Sequence, residues 1–400
     1  MNITNFYETV LDLPDLKINE VELSANRIDI HCELSKKSGN CPNCGEPTGI
    51  LHQYKYRKVQ DLRISGKEVW LHLKVAQLHC ISCDFHFNLS ADWLLKGKSY
   101  TSRQEKWIFE MCARQPFTEV GSLENMNHKK VERLYFDVAK RNLNLKERYA
   151  KIRKLGIDEL SHRKGKKDYV CVLVDLETNT QLDVLPNRRK ETLVAHFQRL
   201  GQEFCNQIEL VCCDIWKPYI LTAEECFPNA KVVLDRFHVV KALNEVLDKT
   251  RKDLRKEFKE EQDFKGIKWK LFKRPENCNT QEEELLKKAL DKSWILSELY
   301  EMRNTFNSLF DHFTDKKELI KNLELWIRHT ENIKSKHMDK FVETLKRWQE
   351  EIANFSVHRI TNAATEGLNN YIRYFKRISF GISNFEHMRL RILANSSFTN

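Results

Sequence analysis

Two aspartates in the middle of the chain lie where short apolar runs end, and carboxylates at such positions can bind divalent metal ions. Asp158 follows the apolar start of "KLGIDEL" (154–160), and Asp214 closes "QIELVCCD" (207–214). Like charges that are buried together repel each other unless a cation lies between them. Because Mg²⁺ prefers carboxylate oxygens, the pair predicts a magnesium site if the fold brings the two runs together. The alternative interpretation is that both aspartates are polar caps at strand ends.

A third acid lies near the end of the chain. Glu366 is the single acidic residue in "TNAATEGLNNYIRYFKR" (361–377), where Thr361 or Asn362 can start a helix. A solvated helix would carry several glutamates, and a helix that only binds nucleic acid would carry none. We therefore predict that Glu366 completes the metal site, although a surface position is the alternative. The other polar side chains of this helix are predicted to contact DNA: Asn369, Asn370, Arg373, Lys376 and Arg377.

Four of the 12 cysteines form two C-x-x-C pairs, in "CPNCG" (41–45) and "CISCD" (80–84). Each pair can supply two thiolates to one tetrahedral zinc ion. The spacing predicts a structural zinc site, and the alternative is chance pairing of core cysteines. The predicted zinc ligands are Cys41, Cys44, Cys80 and Cys83. The neighbouring Cys32, His79 and His86 do not fit the spacing and are interpreted as packing or polar residues.

Composition and charge favour a globular, multidomain protein with an acidic partner. The 400 residues are 41% hydrophobic and 31% charged, and the formal net charge is +10. Such an excess of basic residues favours nucleic acid over a small acidic substrate. The segment "KGKS" (96–99) lacks the first glycine of a phosphate-binding loop, because Asp92 stands at that position. We therefore expect no ATP.

Neither a signal peptide nor a membrane span is expected. The opening residues "MNITNFYETVLDLPDL" contain early acids and no apolar core segment. No stretch reaches the roughly 18 uninterrupted apolar residues that a span requires. We expect a cytoplasmic protein of a reducing compartment, with no membrane partner, in which patterned cysteines bind metal.

The elements that must position these residues change along the chain. Alternating apolar and polar residues over 20–34 and 67–80 predict strands, so the first part is β-rich. A helix is predicted over 102–114, followed by two helices with a break near Met126–Asn127. This pattern predicts a helix-turn-helix, and the alternative is a helical hairpin between two domains. The basic residues of its last helix are predicted to bind DNA: Lys129, Lys130 and Arg133.

The central block predicts an α/β core. Strands are predicted over 154–160, 168–176, 180–186, 207–214 and 230–238, with helices over 189–201 and 216–227. The order β-β-β-α-β-α-β is that of the ribonuclease-H-like fold, in which the ends of the strands that carry Asp158 and Asp214 are adjacent. Trp216 and Tyr219 are interpreted as core residues, and the alternative is that they stack on a base. From His238 to about Ile352 the pattern is almost wholly helical.

The predicted fold class is therefore multidomain α/β, with a ribonuclease-H-like core that contains a large all-α insertion. The predicted segments are a β-rich zinc-binding domain (1–97), a helix-turn-helix domain (98–150), the first part of the core (151–238), the helical insertion (239–355) and the final part of the core with the glutamate helix (356–400).

Nearly the whole chain resembles the ISL-three family of prokaryotic insertion-sequence transposases. The resemblance rests on the cysteine pairs, the helix-turn-helix, "GIDELSHRKGKKDYVCVLVDLETN", "CCDIWKPYI", "LDRFHVVKALNEVLDKTRK" and "TNAATEGLNNYIRYFKRISFGISNFEHMRLRIL". It implies that Asp158, Asp214 and Glu366 form a catalytic Asp-Asp-Glu triad. "DRFH" (235–238) resembles a shared D-x-x-H signature, which makes Asp235 and His238 accessory candidates. Their alternative role is to start a helix, with Asp235 as its cap.

The resemblance also implies cofactors and partners. The triad would use two Mg²⁺ or Mn²⁺ ions to cleave and transfer DNA strands. The partners would be the terminal inverted repeats and the target DNA, bound by at least a dimer of a nucleoid-associated protein. "SFGISNF" (379–385) stands where the family usually has an aromatic-Gly-aromatic-Arg pattern.

Two other functions are compatible with parts of the pattern. One is a ribonuclease-H-like nuclease without strand transfer, which the large helical insertion and the two DNA-binding modules disfavour. The other is a DNA-binding regulator that keeps the core as a scaffold, which the presence of all three acids disfavours.

Overall fold

The structure, a computed structural model, describes residues 2–163, 168–258, 263–378, 382 and 384–396. The side chains at positions 162, 163, 168, 363–366, 378, 395 and 396 are not described. The side chain of Glu366 and most of "SFGISNF" therefore lie outside the described part.

The chain is mixed α/β and divides into two compact units. One is Met1–Asn142 with Arg377–Ile382, and the other is Leu143–Lys376 with Ser383–Asn400. Among the described helices, none combines the length and apolar character needed to cross a bilayer. The finer division into five segments remains a prediction.

The first unit is built on a five-stranded sheet with the order β1-β2-β6-β5 and β7 paired to β6. Its elements before residue 100 are α1 (Ile3–Leu11), β1 (Leu16–Leu23), β2 (Arg27–Leu34), β3 (Gly39–Asn40), β4 (Pro47–Thr48), β5 (Leu51–Ile64), β6 (Lys67–Cys80) and β7 (Phe85–Asn88). The segment predicted as one strand over 20–34 is an antiparallel pair, β1 and β2, joined by a turn. Strand β5 was not predicted, because its first six residues are exposed and show no apolar alternation.

Three helices follow within the first unit, as the helical periodicity predicts: α2 (Ser102–Cys112), α3 (Phe117–Leu123) and α4 (His128–Asn142). Thr101 caps α2, because its side chain accepts a hydrogen bond from the Gln104 N–H. The apolar stripe of α4 is buried, including Val131, Leu134 and Val138. The break between α3 and α4 lies at the predicted position.

The second unit contains a five-stranded sheet with the order β10-β9-β8-β11-β12. Its strands are β8 (Lys154–Arg163), β9 (Asp168–Asp175), β10 (Thr180–Leu185), β11 (Leu210–Cys213) and β12 (Lys231–Leu234). Strands β8, β9 and β10 pair antiparallel, whereas β11 pairs parallel to both β8 and β12. The predicted strand over 230–238 ends early, because Asp235 caps the helix that follows.

Helices account for most of the remaining chain. They are α5 (Leu145–Tyr149), α6 (Lys190–Leu200), α7 (Gln202–Gln207), α8 (Lys217–Cys226), α9 (Arg236–Glu257), α10 (Lys268–Phe272), α11 (Thr280–Asp291), α12 (Trp294–His312), α13 (Lys316–Glu331), α14 (Lys336–Arg347), α15 (Gln349–His358), α16 (Ala363–Ile378) and α17 (Phe385–Ser396). The helical stretch predicted after His238 is confirmed. Tyr219 is buried as predicted, but the core interpretation of Trp216 is wrong, since this residue is 38% exposed.

The long helical segment is tied back to the sheet at its end. The Asn354 side-chain amide of α15 donates to the Val232 carbonyl of β12 at 2.7 Å. Arg359 then ends α15 in the left-handed conformation, with φ 48°. Its guanidinium donates to the Phe310 carbonyl at 2.6 Å, and these contacts fix the point from which the chain turns towards α16.

The turn between α3 and α4 yields a stability prediction. A Cβ atom at Gly121 would lie 2.7 Å from the Met126 carbonyl oxygen, too close for a relaxed packing. We expect Gly121→Ala to lower the free energy of unfolding by about 1–3 kcal/mol, measured by urea denaturation. Gly49→Ala is the matched control, because its nearest neighbours would lie at 3.5 Å. Equal stability of the two variants would contradict the tight packing of this turn.

Candidate active site

The register of the parallel strands brings three aspartates to one edge of the second sheet. Ile157 of β8 pairs with Cys213 of β11, and Cys213 pairs with Leu234 of β12. Asp158, Asp214 and Asp235 are the next residues along these three strands. Carboxyl ends of parallel strands meet at the same sheet edge, so the three carboxylates converge there. The pairing of β8 with β11 therefore explains the predicted meeting of Asp158 and Asp214.

Asp158 is held inside a strand and does not close one, because β8 continues to Arg163. Its carboxylate accepts two hydrogen bonds, from the Glu159 N–H at 2.7 Å and from the Asn369 side-chain amide at 2.7 Å. The residue is 8% exposed. Asn369 was predicted as a DNA contact, and the structure buries it against Asp158 instead.

Asp214 and His238 form the second part of the site. The His238 Nδ1 atom lies 3.0 Å from the Asp214 Oδ2 atom. Ligand atoms of Asp158, Asp214 and His238 all lie within 4.8 Å of one another. The Asp214 Oδ1 atom is buried and has no hydrogen-bond partner among the described residues. His238 thus lies beside the two aspartates, and its accessory role remains a prediction.

Asp235 lies at the same edge but has a structural role there. One carboxylate oxygen accepts from the Phe237 N–H at 3.0 Å and so caps α9. The other accepts from the Asn362 N–H at 3.1 Å, just before α16. The helix-cap interpretation of Asp235 is therefore confirmed, and the residue also links the start of α9 to the start of α16.

Asn362 is a site residue that the sequence indicated only as a helix start. Its side-chain amide donates to the Ile157 carbonyl at 3.2 Å. The approach is close, since a Cβ atom at Gly156 would lie 3.1 Å from the Asn362 Oδ1 atom and 2.7 Å from the Leu176 side chain. Glycine at position 156 therefore allows α16 to start directly against β8.

The predicted glutamate and DNA-binding positions lie along α16. Position 366 is part of this helix, but the Glu366 side chain is not described. Arg373 is exposed and donates to the Asn370 side chain at 2.6 Å. The Lys376 ammonium donates to the Ser161 carbonyl at 3.0 Å, and Arg377 is exposed. The α16 helix thus carries both a buried partner of Asp158 and exposed cations.

Burial changes the protonation of the two central carboxylates. It raises the pKa of Asp158 to about 6, although hydrogen bonds from the Glu159 N–H and Asn369 oppose the shift. Burial raises the pKa of Asp214 to about 8, and the charges of Asp158, Glu159 and Asp235 add to this effect. The site therefore holds a proton near neutral pH unless another cation replaces it.

These side chains line a cleft of about 740 Å³. Its wall also carries the cationic residues Arg236, Lys241 and Arg373. A cleft with buried acids at its base and cations on its wall can accept a polyanion together with metal ions.

A separate cluster in the first unit contains the four predicted zinc ligands. The Sγ atoms of Cys41 and Cys83 are 3.5 Å apart, as are those of Cys44 and Cys80. All four sulfurs lie within 4.8 Å of one another. Tetrahedral zinc with bonds of about 2.3 Å requires sulfurs about 3.8 Å apart, so the cluster fits a structural zinc ion.

Two hairpin turns bring these sulfurs together. The first cysteine pair lies between β3 and β4, where the Cys41 N–H donates to the Glu46 carbonyl at 2.8 Å. The second lies in the turn between β6 and β7, which starts from the Cys80–Phe85 pair. The His79 ring stacks on His86 with centroids 4.5 Å apart, which agrees with their interpretation as packing or polar residues.

Both units match models of known protein families. A model described as "Transposase", of the ISL3 (ISL-three) group, matches residues 155–392. A second model, described as "zinc-finger of transposase IS204/IS1001/IS1096/IS1165", matches residues 37–83. The chain belongs to the ISL-three family of transposases.

Individual relatives agree with this membership. The chain is 26% identical over 374 residues to the transposase for insertion sequence element IS1001 of Bordetella parapertussis, covering 92% of this chain and 91% of the relative. It is 28% identical over 282 residues to the transposase for insertion sequence element IS1557 of Mycobacterium tuberculosis, covering 63% and 61% respectively. The family resemblance of the sequence is thereby confirmed.

In this ISL-three family member, the basic residues of α4 differ in their surroundings. Lys129 and Arg133 are exposed. Lys130 is half-buried, and its ammonium donates to the Ser99 hydroxyl at 2.8 Å. Lys130 therefore has an internal partner, whereas the other two side chains are accessible to a ligand.

Loss of one zinc ligand should empty the cysteine cluster. Cys44→Ser replaces a thiolate by a hydroxyl, a poor zinc ligand, and we expect the zinc content to fall from about one ion per chain to well below half. The first unit should unfold at lower temperature, because binding of the metal contributes to folding. Elemental analysis and thermal unfolding measure both effects. Cys278→Ser, outside the cluster, is the control, and full zinc retention in the Cys44 variant would refute the site.

Removal of the Asp214 charge should stabilise the protein without divalent ions. The folded-state pKa of Asp214, about 8, lies above its ordinary value of 3.8, so the folded state retains a proton that the unfolded chain releases. Stability therefore falls as pH rises through this interval. We expect Asp214→Asn to raise the free energy of unfolding at pH 8 by about 1–3 kcal/mol, and by little near pH 4.

The same variant tests metal binding. Added Mn²⁺ should raise the melting temperature of the parent protein, because a ligand that binds only the folded state stabilises it. It should have little effect on Asp214→Asn. Asp291→Asn, at an exposed position of α11, is the charge-matched control and should behave like the parent. A parent protein that is insensitive to Mn²⁺ would contradict the metal site.

Proposed function

We propose that the chain is a DNA transposase that cleaves DNA strands at the ends of an insertion sequence and transfers them to target DNA. The observation that carries this proposal is the convergence of Asp158 and Asp214 at one sheet edge through the register of β8 and β11. We assign Glu366, on α16, as the third catalytic acid. Family membership supports the reaction class.

We further propose that the second unit is a ribonuclease-H-like core with a helical insertion. The strand order β10-β9-β8-β11-β12, with three antiparallel strands followed by two parallel ones, supports this assignment. Helices α9 to α15 form the insertion, and α16 returns the chain to the catalytic edge. Helices α2 to α4 would act as the helix-turn-helix.

The donor atoms of the site fit Mg²⁺ or Mn²⁺. Carboxylate oxygens of Asp158 and Asp214 converge there. The Asp214 Oδ1 atom, which has no hydrogen-bond partner in the described part of the chain, offers a lone pair for a cation. Two such ions, held by Asp158, Asp214 and Glu366, would act as Lewis acids on the phosphate and on the attacking and leaving oxygens.

The protein supplies orientation and charge. Asn369 fixes the carboxylate of Asp158, and His238 fixes that of Asp214, so neither acid must reorganise during the reaction. The cationic wall of the cleft, including Lys241 and Arg373, would attract the DNA backbone. Water would first free the 3′ ends of the element, and those ends would then attack target DNA in an in-line displacement.

The first unit would recognise the element ends. Its zinc cluster holds the fold of the β-rich part, and the exposed Lys129 and Arg133 of α4 would contact phosphates. Phosphate contacts give affinity, and base contacts give sequence choice. Because an element has two ends, we propose that the protein acts as at least a dimer on DNA.

Binding and cleavage should be separable. Asp214→Asn should retain binding of the inverted repeats and lose cleavage, because it removes a metal-binding charge and leaves the exposed DNA contacts unchanged. Replacing Lys129 and Arg133 with Ala should weaken binding and reduce the slope of its salt dependence by about two. Gel-shift and nicking assays with the terminal sequences and Mg²⁺ measure both. Lys288→Ala, on the exposed face of α11, is the control for general charge loss. A normal cleavage rate in Asp214→Asn would refute the proposed chemistry.

A further inference from the structure

An aromatic and cationic stack lies beside the carboxylates. The Arg188 guanidinium carbon is 4.1 Å from the ring centroid of Trp216 and 4.3 Å from that of Tyr169. The same guanidinium pairs with the Glu159 carboxylate. Glu159 follows Asp158 directly, and Trp216 lies two residues after Asp214. Arg188 is therefore bound to the neighbour of Asp158, and Trp216 is close in the chain to Asp214.

This arrangement fixes a large aromatic ring at the surface. Trp216 is 38% exposed, although Tyr219, three residues later, is completely buried. Trp216 is also the N-terminal cap of α8, and its N–H donates to the Asp214 carbonyl at 2.7 Å. The Trp216 backbone is thus bound to Asp214 and its indole packs against Arg188, while part of the side chain remains in contact with solvent.

We infer that Trp216 is a stacking platform for an unpaired nucleobase next to the scissile phosphate, with Arg188 and Tyr169 as its positioning residues. This inference rests on the proposed function, because it assumes that a DNA phosphate binds at Asp158 and Asp214. The exposed surface of Trp216 would then bind a single nucleobase of the reacting strand.

Distance and chemistry support a base as the occupant. Two residues of extended chain span at most about 7 Å, so the Trp216 backbone is no farther than this from that of Asp214. A nucleotide adjacent to a phosphate at the acids therefore comes within reach of the indole. Aromatic side chains stack on any base, and the cationic cleft residues Lys241 and Arg373 favour a nucleic acid over an uncharged occupant.

The base must be unpaired to use this platform. A base inside duplex DNA already stacks on its neighbours and is unavailable to a protein ring. A ring fixed beside the reacting phosphate can offset part of the cost of extruding one base. Such a contact would select strands that open at the element end, and it would act without direct sequence readout.

Photocrosslinking tests occupancy without a need for cleavage. Duplexes of the element end would carry 5-iododeoxyuridine at single positions on either side of the cut, bound to the Asp214→Asn protein. We expect one position to crosslink to Trp216, as identified by mass spectrometry of the peptide. Trp216→Phe should retain a crosslink at that position, and Trp216→Ala should lose it. A crosslink from the same position to Phe237, which is 61% exposed and lines the cleft, would overturn the assignment to Trp216.

Cleavage rates test the energetic role. With paired ends, we expect Trp216→Ala to reduce the cleavage rate by about 10-fold and Trp216→Phe by less than about 3-fold, since stacking of one base on an aromatic ring has this order of effect. A mismatch at the crosslinking position should restore most of the rate to Trp216→Ala. Trp294→Ala, at a tryptophan that is 65% exposed in α12, is the matched control and should cleave at the parent rate.

Each failure has a distinct signature. If the parent protein cuts no element end, the proposed function is wrong. If the parent cuts but Trp216→Ala cuts equally fast and no position crosslinks to Trp216, only the platform is wrong. An equal defect of Trp216→Ala on paired and mismatched ends, with an unchanged melting temperature, would also overturn the platform, because the loss would not depend on base pairing.

Discussion

The convergence of like charges at the edge of the second sheet is the constraint on which the rest of the unit depends. Parallel pairing of β8, β11 and β12 places Asp158, Asp214 and Asp235 in consecutive positions across that edge. Burial raises the pKa values of all three carboxylates. The negative charges of Asp158, Glu159 and Asp235 raise the pKa of Asp214 further. The folded chain must therefore neutralise the edge with protons, hydrogen bonds or metal ions.

The three aspartates are treated differently by their neighbours. Asp235 directs its two oxygens to backbone N–H groups and so joins the starts of α9 and α16. Asp158 is held by Asn369, whereas Asp214 contacts His238 through one oxygen and has no described partner for the other. One carboxylate thus becomes structural, and the other two have ligand atoms within 4.8 Å of each other. The helices between β12 and α16 support this arrangement, because Asn354 and Arg359 anchor the chain just before α16 begins.

In the first unit, the region around the cysteine cluster has little apolar packing. Half of β5 is exposed, and the β3–β4 hairpin is only two residues long on each side. Apolar burial is small at this end of the unit, and four thiolates around a zinc ion can hold the two turns together. Apolar packing resumes where α2 and α4 bury their stripes, so a zinc ion and the apolar core would stabilise different parts of the unit.

Elements with local signals could be predicted from the amino-acid sequence. Alternation over 67–80, the apolar stripe of α4 and the C-x-x-C spacing each depend on residues close in the chain, and the structure agrees with all three. The exposed half of β5 carries no such signal, and the end of β12 at Leu234 was missed because Asp235 acts as a cap only once α9 is formed. The two aspartates and His238 were named from the sequence, but the register that unites them depends on pairing between strands that are distant in the chain.

Tertiary structure alone decided which polar residues serve the fold and which remain accessible. Asn369 and Lys130 share the sequence character of DNA contacts, yet one binds Asp158 and the other Ser99. Trp216 has the character of a core residue, yet it stays exposed against Arg188. Residue type and spacing determine what a side chain can do, whereas its partners are supplied by distant segments. The hydrogen bonds and burial that select one role therefore exist only after those segments have packed together.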